Sequence, residues 1–133
     1  MYSPRFRFRS FASLHPTGRE AVLTMLCEAL IATNLAYLVA VPATPLLYES
    51  GVRYVPENQG FDDWHDIPET LARLVGDCED LACWRIAELR HREREHALPY
   101  LKRAERDDHV LYHVAVRRFD GRVEDPSRAL GMR

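Results

Sequence analysis

At 133 residues, with 47% hydrophobic and 29% charged side chains, the chain has the size and balance of one globular domain with a modest core. A net charge of −2 supplies no broad field for gathering nucleic acid or an anionic membrane, so neither is expected as a partner. Three cysteines, Cys27, Cys78 and Cys83, are too few and too irregularly spaced for a disulfide framework, which points to a reducing, cytoplasmic compartment.

In chain order, Arg5, Arg7 and Arg9 alternate with Phe6 and Phe8. Period-two patterning predicts an edge strand, or an arm that pairs with a neighbouring protein through residues 5–9. No apolar signal-peptide core is expected at the N-terminus. Thr17 and Glu20 have capping-box spacing and open a helix over 17–41. Its apolar residues cover most of the circumference, so it is expected to be central and packed on several sides. Residues 21–41 are long and apolar enough to raise the question of a membrane span. Glu28, Thr24, Thr33 and Asn34 favour a core helix instead, with Cys27 as a buried small hydrophobe.

Residues 52–55 read as a short strand and 56–66 as loop. A short helix follows, with Pro68 near its first position. The second long helix opens at Asp77 and runs to about Glu95. Cys78, Ala82, Ile86 and Leu89 share one face of it, and that face is expected inward. Cys78 then stands in the first turn, where orphan N–H groups and the helix dipole favour a thiolate. Asp77 reads as the N-cap, with Glu79 and Asp80 as first-turn acids rather than metal ligands; these acids work against a low cysteine pKa, so a thiolate would need His113 as its ion-pair partner.

Zinc is a weak rival. Cys78/Cys83 and His91/His96 are each five apart, a poor bite on a helix, and no metal is expected. Cys83 reads as a packing residue, and His65, His91 and His96 as solvent-facing. Residues 99–108 read as a polar connection, 109–118 as a strand, Asp120-Gly121 as a turn and 122–125 as the return strand.

The loop length of that hairpin decides whether His113 and Asp125 can meet. A two-residue loop puts them on opposite faces of the sheet. A three-residue loop, Phe119-Asp120-Gly121, pairs Arg118 with Arg122 and Ala115 with Asp125, which brings the carboxylate to the imidazole face. Gly121 sits where such a loop needs a left-handed residue, so the three-residue loop is predicted. A thiol, an imidazole and a carboxylate in this order are the parts of a nucleophile, its base and the base's orienter.

Gly76-Asp77-Cys78-Glu79-Asp80-Leu81-Ala82, Tyr112-His113-Val114 and Glu124-Asp125-Pro126 together resemble the transglutaminase-like branch of the papain-like cysteine superfamily. The resemblance covers roughly residues 46–130 of a single domain spanning 1–133. It implies an α+β fold in which the cysteine helix packs on a small antiparallel sheet. It also implies a peptide or protein substrate attacked at an amide carbonyl through a thioester acyl-enzyme, with water or an amine as acceptor. By the resemblance Cys78 is the nucleophile, His113 the general base and acid, and Asp125 the orienter. The oxyanion hole would combine the Cys78 backbone N–H with an upstream donor, Trp64 or Gln59. No cofactor is implied. Leu47-Tyr48-Glu49-Ser50-Gly51-Val52-Arg53-Tyr54 is similar to small members found among structural genes of tailed bacteriophages and prophages. That similarity implies a bacterial host, association with the virion, and as an alternative a non-catalytic virion or assembly protein.

Overall fold

The computed structural model describes residues 6–9, 16–56, 61–106 and 109–133. The fold is a mixture of helices and small sheets, of the α+β class.

Strand β1 (Phe6–Arg9) pairs antiparallel with β3 (Phe61–Trp64), from Phe6↔Trp64 to Arg9↔Phe61. The period-two segment is thus used within the chain. β3 corrects the loop expected over 56–66. Its two central aspartates are poor strand formers, and the pairing with β1 supplies what local propensity does not.

Helix α1 (Pro16–Ala40) begins one residue before the expected cap, so Thr17 lies inside its first turn. It ends at the prolines as expected. It is not central. Leu23, Cys27, Leu30, Ile31, Asn34 and Leu38 form one buried stripe, while Met25 and Val39 are 71% and 65% exposed. Alanines fill much of the outer face, and exposing them costs little, so apolar composition overstated the burial. By length and composition Gly18–Ala40 could cross a membrane; 33% of its most apolar window is buried inside the protein. Two polar ties hold α1 down. Asn34 Oδ1 accepts from Ile67 N at 2.9 Å, and Glu28 takes both terminal nitrogens of Arg90 at 3.0 Å.

A 3-10 turn (Leu47–Glu49) leads to β2 (Arg53–Tyr54), shorter than the strand expected over 52–55. β2 pairs in parallel with β4 (Val75–Gly76). Between them lies α2 (Ile67–Arg73), capped by Asp66 with Pro68 in its first turn.

The central element is α3 (Cys78–Arg92). The face predicted from Cys78, Ala82, Ile86 and Leu89 is buried, and so are Leu81, Cys83, Trp84, Ala87 and Glu88. α3 ends three residues short of the expected Glu95, and Glu95 turns back to bind Arg118 at 2.8 Å.

α3 packs on an antiparallel meander of β5 (Leu98–Arg106), β6 (His109–Arg117) and β7 (Val123–Glu124). β5 corrects the polar connection expected over 99–108. Lys102, Arg103, Glu105 and Arg106 are weak strand formers, but β6 pairs with the whole segment, from Leu98↔Arg117 to Arg106↔His109. The β6–β7 register is the predicted one: Val116 faces Glu124, Arg118 N donates to Arg122 O at 2.8 Å, and Gly121 adopts φ +89°. A short helix, α4 (Pro126–Ala129), follows directly.

Candidate active site

The segment Gly76-Asp77-Cys78-Glu79-Asp80 builds the head of α3 one residue at a time. Gly76 is a close approach: a Cβ there would meet Leu81 Cδ2 at 2.9 Å. Asp77 is the N-cap, and its Oδ1 accepts from Cys78 N at 2.7 Å. Asp80 closes the capping box by accepting from Asp77 N at 3.1 Å. Its other oxygen accepts from His65 N at 2.7 Å, and its carboxylate lies 3.3 Å from His65 Nδ1. His65 is therefore 5% exposed rather than solvent-facing. The error arose because a histidine among polar neighbours was read locally, while its partner is a buried carboxylate on α3. His91 and His96 are exposed as expected.

Cys78 occupies the first helical position with 8% exposure. Its thiol donates to Glu79 Oε2 at 3.3 Å. Glu79 is itself 6% exposed and is the one acid of the motif with no capping role. Burial pushes the Cys78 thiol up, and the negative charge of Glu79 and of Asp77 pushes it further. The resting sulfur is consequently a thiol. The opposition of the neighbouring acids is as expected, and burial, the larger cause, adds to it against the helix end, whose pull toward a thiolate acts over one turn.

One group works the other way. Arg118 N donates to Arg122 on the β7 side, and antiparallel ladders alternate, so the N–H groups of Val116 and Val114 face that same edge. β7 stops at Glu124. At Val114 the open edge is occupied by the Cys78 sulfur, and the Val114 N–H favours its charged form. The sulfur thus lies against β6 at the residue next to His113.

His113 and Asp125 meet directly, with Nε2 at 2.8 Å from Oδ2. The other Asp125 oxygen accepts from Ser127 N at 3.1 Å and Arg128 N at 3.4 Å, which makes the carboxylate the N-cap of α4. One oxygen therefore anchors a helix while the second holds the imidazole. With Nε2 donating to Asp125, Nδ1 is the basic nitrogen. It has no hydrogen-bond partner among the described residues. The structure joins His113 to Asp125 and brings Cys78 to the same strand, while the sulfur's own hydrogen bond runs to Glu79.

The oxyanion candidates fare differently. The Cys78 backbone N–H is already engaged by Asp77. Trp64 is 2% exposed within the main core, and Gln59 lies outside the described residues. A residue that sequence reasoning missed stands close by. Tyr54 on β2 faces Gly76 on β4, two positions ahead of Cys78. Its hydroxyl is pushed up to about 12, first by burial and then by the charges of Asp77, Cys78, Glu79 and Asp125. Nothing local marks Tyr54, because its position follows from a two-residue parallel pairing.

The donor atoms of Asp77, Cys78 and Glu79 lie within 4.8 Å of one another, a spacing compatible with a cation. Capping already occupies Asp77. Cys83 is fully buried and donates to Cys27 O at 3.7 Å, a packing role as predicted. A groove of about 570 Å³ between α1 and β5, lined by Thr24, Tyr100 and Arg117 among others, includes none of the three site residues.

No family model matches the chain, and no curated protein or solved structure matches it.

Proposed function

We propose that this protein is a papain-like, transglutaminase-like thiol hydrolase or acyltransferase acting on peptide or side-chain amides. The observation that carries the reading is the 2.8 Å contact of His113 with Asp125, beside a helix-head cysteine whose sulfur lies against the His113 strand at Val114. In the reaction the Cys78 proton passes to His113 Nδ1, and the thiolate adds to the amide carbonyl carbon. His113 then returns the proton to the leaving nitrogen as the C–N bond breaks, which leaves a thioester. Water or an amine, deprotonated by the same imidazole, releases the acyl group. Asp125 fixes the ring tautomer and steadies the imidazolium. Since Asp77 holds the Cys78 N–H, Tyr54, set opposite Gly76, is our candidate hydroxyl donor to the oxyanion. The site works in the reduced cytoplasm of a bacterial host, and the resemblance to phage structural genes supports a virion association.

The burial of Cys78 and its bond to Glu79 favour a second reading, a virion or assembly protein that reuses the fold without turnover. Residues 5–9 would supply its contact, since β1 pairs on one side only among the described residues.

Alkylation separates the two. Under iodoacetamide, Cys78 is expected to react ahead of Cys27 and Cys83, which are fully buried. His113→Ala should slow Cys78 by roughly tenfold, because an imidazolium no longer supports the thiolate. Equal labelling of the three cysteines, or a Cys78 rate indifferent to His113, counts for the non-catalytic protein.

A further inference from the structure

Glu79 is a buried carboxyl to which the mechanism above assigns no work. Among the described residues its side chain meets no arginine, lysine or histidine; besides its own backbone N–H, its hydrogen-bonding neighbour is the Cys78 thiol at 3.3 Å. The groups around it are acidic or neutral, Asp77 and Asp80 from its own helix and Tyr54 from β2; burial, then Asp80 and Asp77, push the Glu79 carboxyl well up, while its own backbone N–H and the Cys78 thiol hold it back. His113 and Asp125, from β6 and the head of α4, approach Cys78 from the sheet side and bond each other. A carboxyl in this position competes with the imidazole for the thiol proton.

We propose that Glu79 is a positioning residue that latches the nucleophile: its carboxylate holds the Cys78 S–H in the resting site, and the sulfur engages His113 only when that hydrogen bond is broken. The proposal rests on the triad reading for its consequence but not for its test. The chemistry is a choice of acceptor. In the latched state the proton stays on sulfur and points at Glu79 Oε2. In the released state it moves from sulfur to His113 Nδ1, leaving thiolate and imidazolium with no other reactant. Two ionisable groups in contact cannot both charge easily. The carboxyl is intrinsically the stronger acid, so it takes the first negative charge and opposes the second, on sulfur. Substrate entry, by excluding water or displacing the Glu79 side chain, would release the latch.

The test is the pH dependence of Cys78 alkylation by iodoacetamide, read by peptide mass, with Cys27 and Cys83 as internal controls. Glu79→Gln keeps the shape and removes the charge. Glu79→Met, similar in volume, removes charge and acceptor together, so either variant that folds supplies the answer. Each should speed Cys78 alkylation near pH 8 by roughly tenfold and move the pH profile downward, without exposing Cys27 or Cys83. If that acceleration persists when His113→Ala is added, the latch stands and the Cys78–His113 pairing falls. A profile unchanged in both variants, or slowed, overturns the latch and leaves the triad to its own test.

Discussion

Asp125→Asn is expected to leave the protein folded and nearly abolish turnover. Asparagine caps a helix about as well as aspartate, so the Ser127 and Arg128 amides keep an acceptor and α4 persists. The thermal midpoint should then shift little. The imidazole loses its charged partner, and with the amide oxygen kept by the cap the NH₂ faces Nε2, so the ring is no longer held in the tautomer that leaves Nδ1 basic. Turnover should fall by about 10²- to 10⁴-fold. Asp125→Ala removes both functions and should add a stability loss of about 1 kcal/mol from the missing cap. Measuring the two variants side by side, by amide hydrolysis and by thermal melting, separates the roles of the two oxygens. An Asp125→Asn variant that turns over normally, beside an Asp125→Ala variant that melts early, would reduce the carboxylate to a helix cap.

The largest stability effect is expected at Glu88, far from any chemistry. This carboxylate is 1% exposed and accepts from Leu47 N at 2.6 Å, Trp84 Nε1 at 3.0 Å and Arg85 Nη1 at 3.3 Å. Burial pushes its carboxyl up, while the Leu47 N–H, Arg85 and Trp84 hold it back. It is the point where the 3-10 turn is pinned to the central helix. Glu88→Ala strands two buried N–H donors and should cost about 3–5 kcal/mol of unfolding free energy, read by urea titration. Glu93→Ala offers the contrast: its carboxylate is 56% exposed and 3.9 Å from Arg118, so a loss of at most about 0.5 kcal/mol is expected. The Glu88 cluster continues through Arg85 to Glu124, which neighbours Asp125. Arg118 also binds Glu124, at 2.7 Å, and so ties β7 to the end of α3 through Glu95. The site residues themselves carry none of this load, which is why the core and the chemistry can be tested apart.

What was legible in the chain, and what was not, follows the range of the forces involved. The β6–β7 turn is local: Gly121 can adopt a positive φ without penalty, and parity along two short strands then carries Asp125 to His113. The Asp77–Asp80 capping box is equally local, with acceptor and donor within one helical turn. By contrast β5 and β3 are held by partners that local propensity does not announce. Their arginines, lysine and aspartates argue for loop, and cross-strand pairing overrides that preference. His65 and Tyr54 were missed for the same reason. His65 is bound by Asp80 and Tyr54 is set opposite Gly76 through contacts far along the chain. The state of Cys78 was legible in part, since the first-turn acids announce an opposed thiolate. A helix N-terminus favours a thiolate wherever it is solvated, but the 8% exposure of Cys78 and the contact of its thiol with Glu79 are consequences of packing. α1 illustrates the opposite error, where an apolar composition suggested burial on every side and alanines line much of the open one.

The most direct measurement is the mass of the intact chain after brief exposure to an activated peptide ester, followed by peptide mapping. An acyl group bound to Cys78 as a thioester, released by hydroxylamine, missing in Cys78→Ala and formed far more slowly in His113→Ala, is the predicted result. An unacylated Cys78, or ester cleavage that proceeds equally well in Cys78→Ala, would contradict the assignment of Cys78 as the nucleophile.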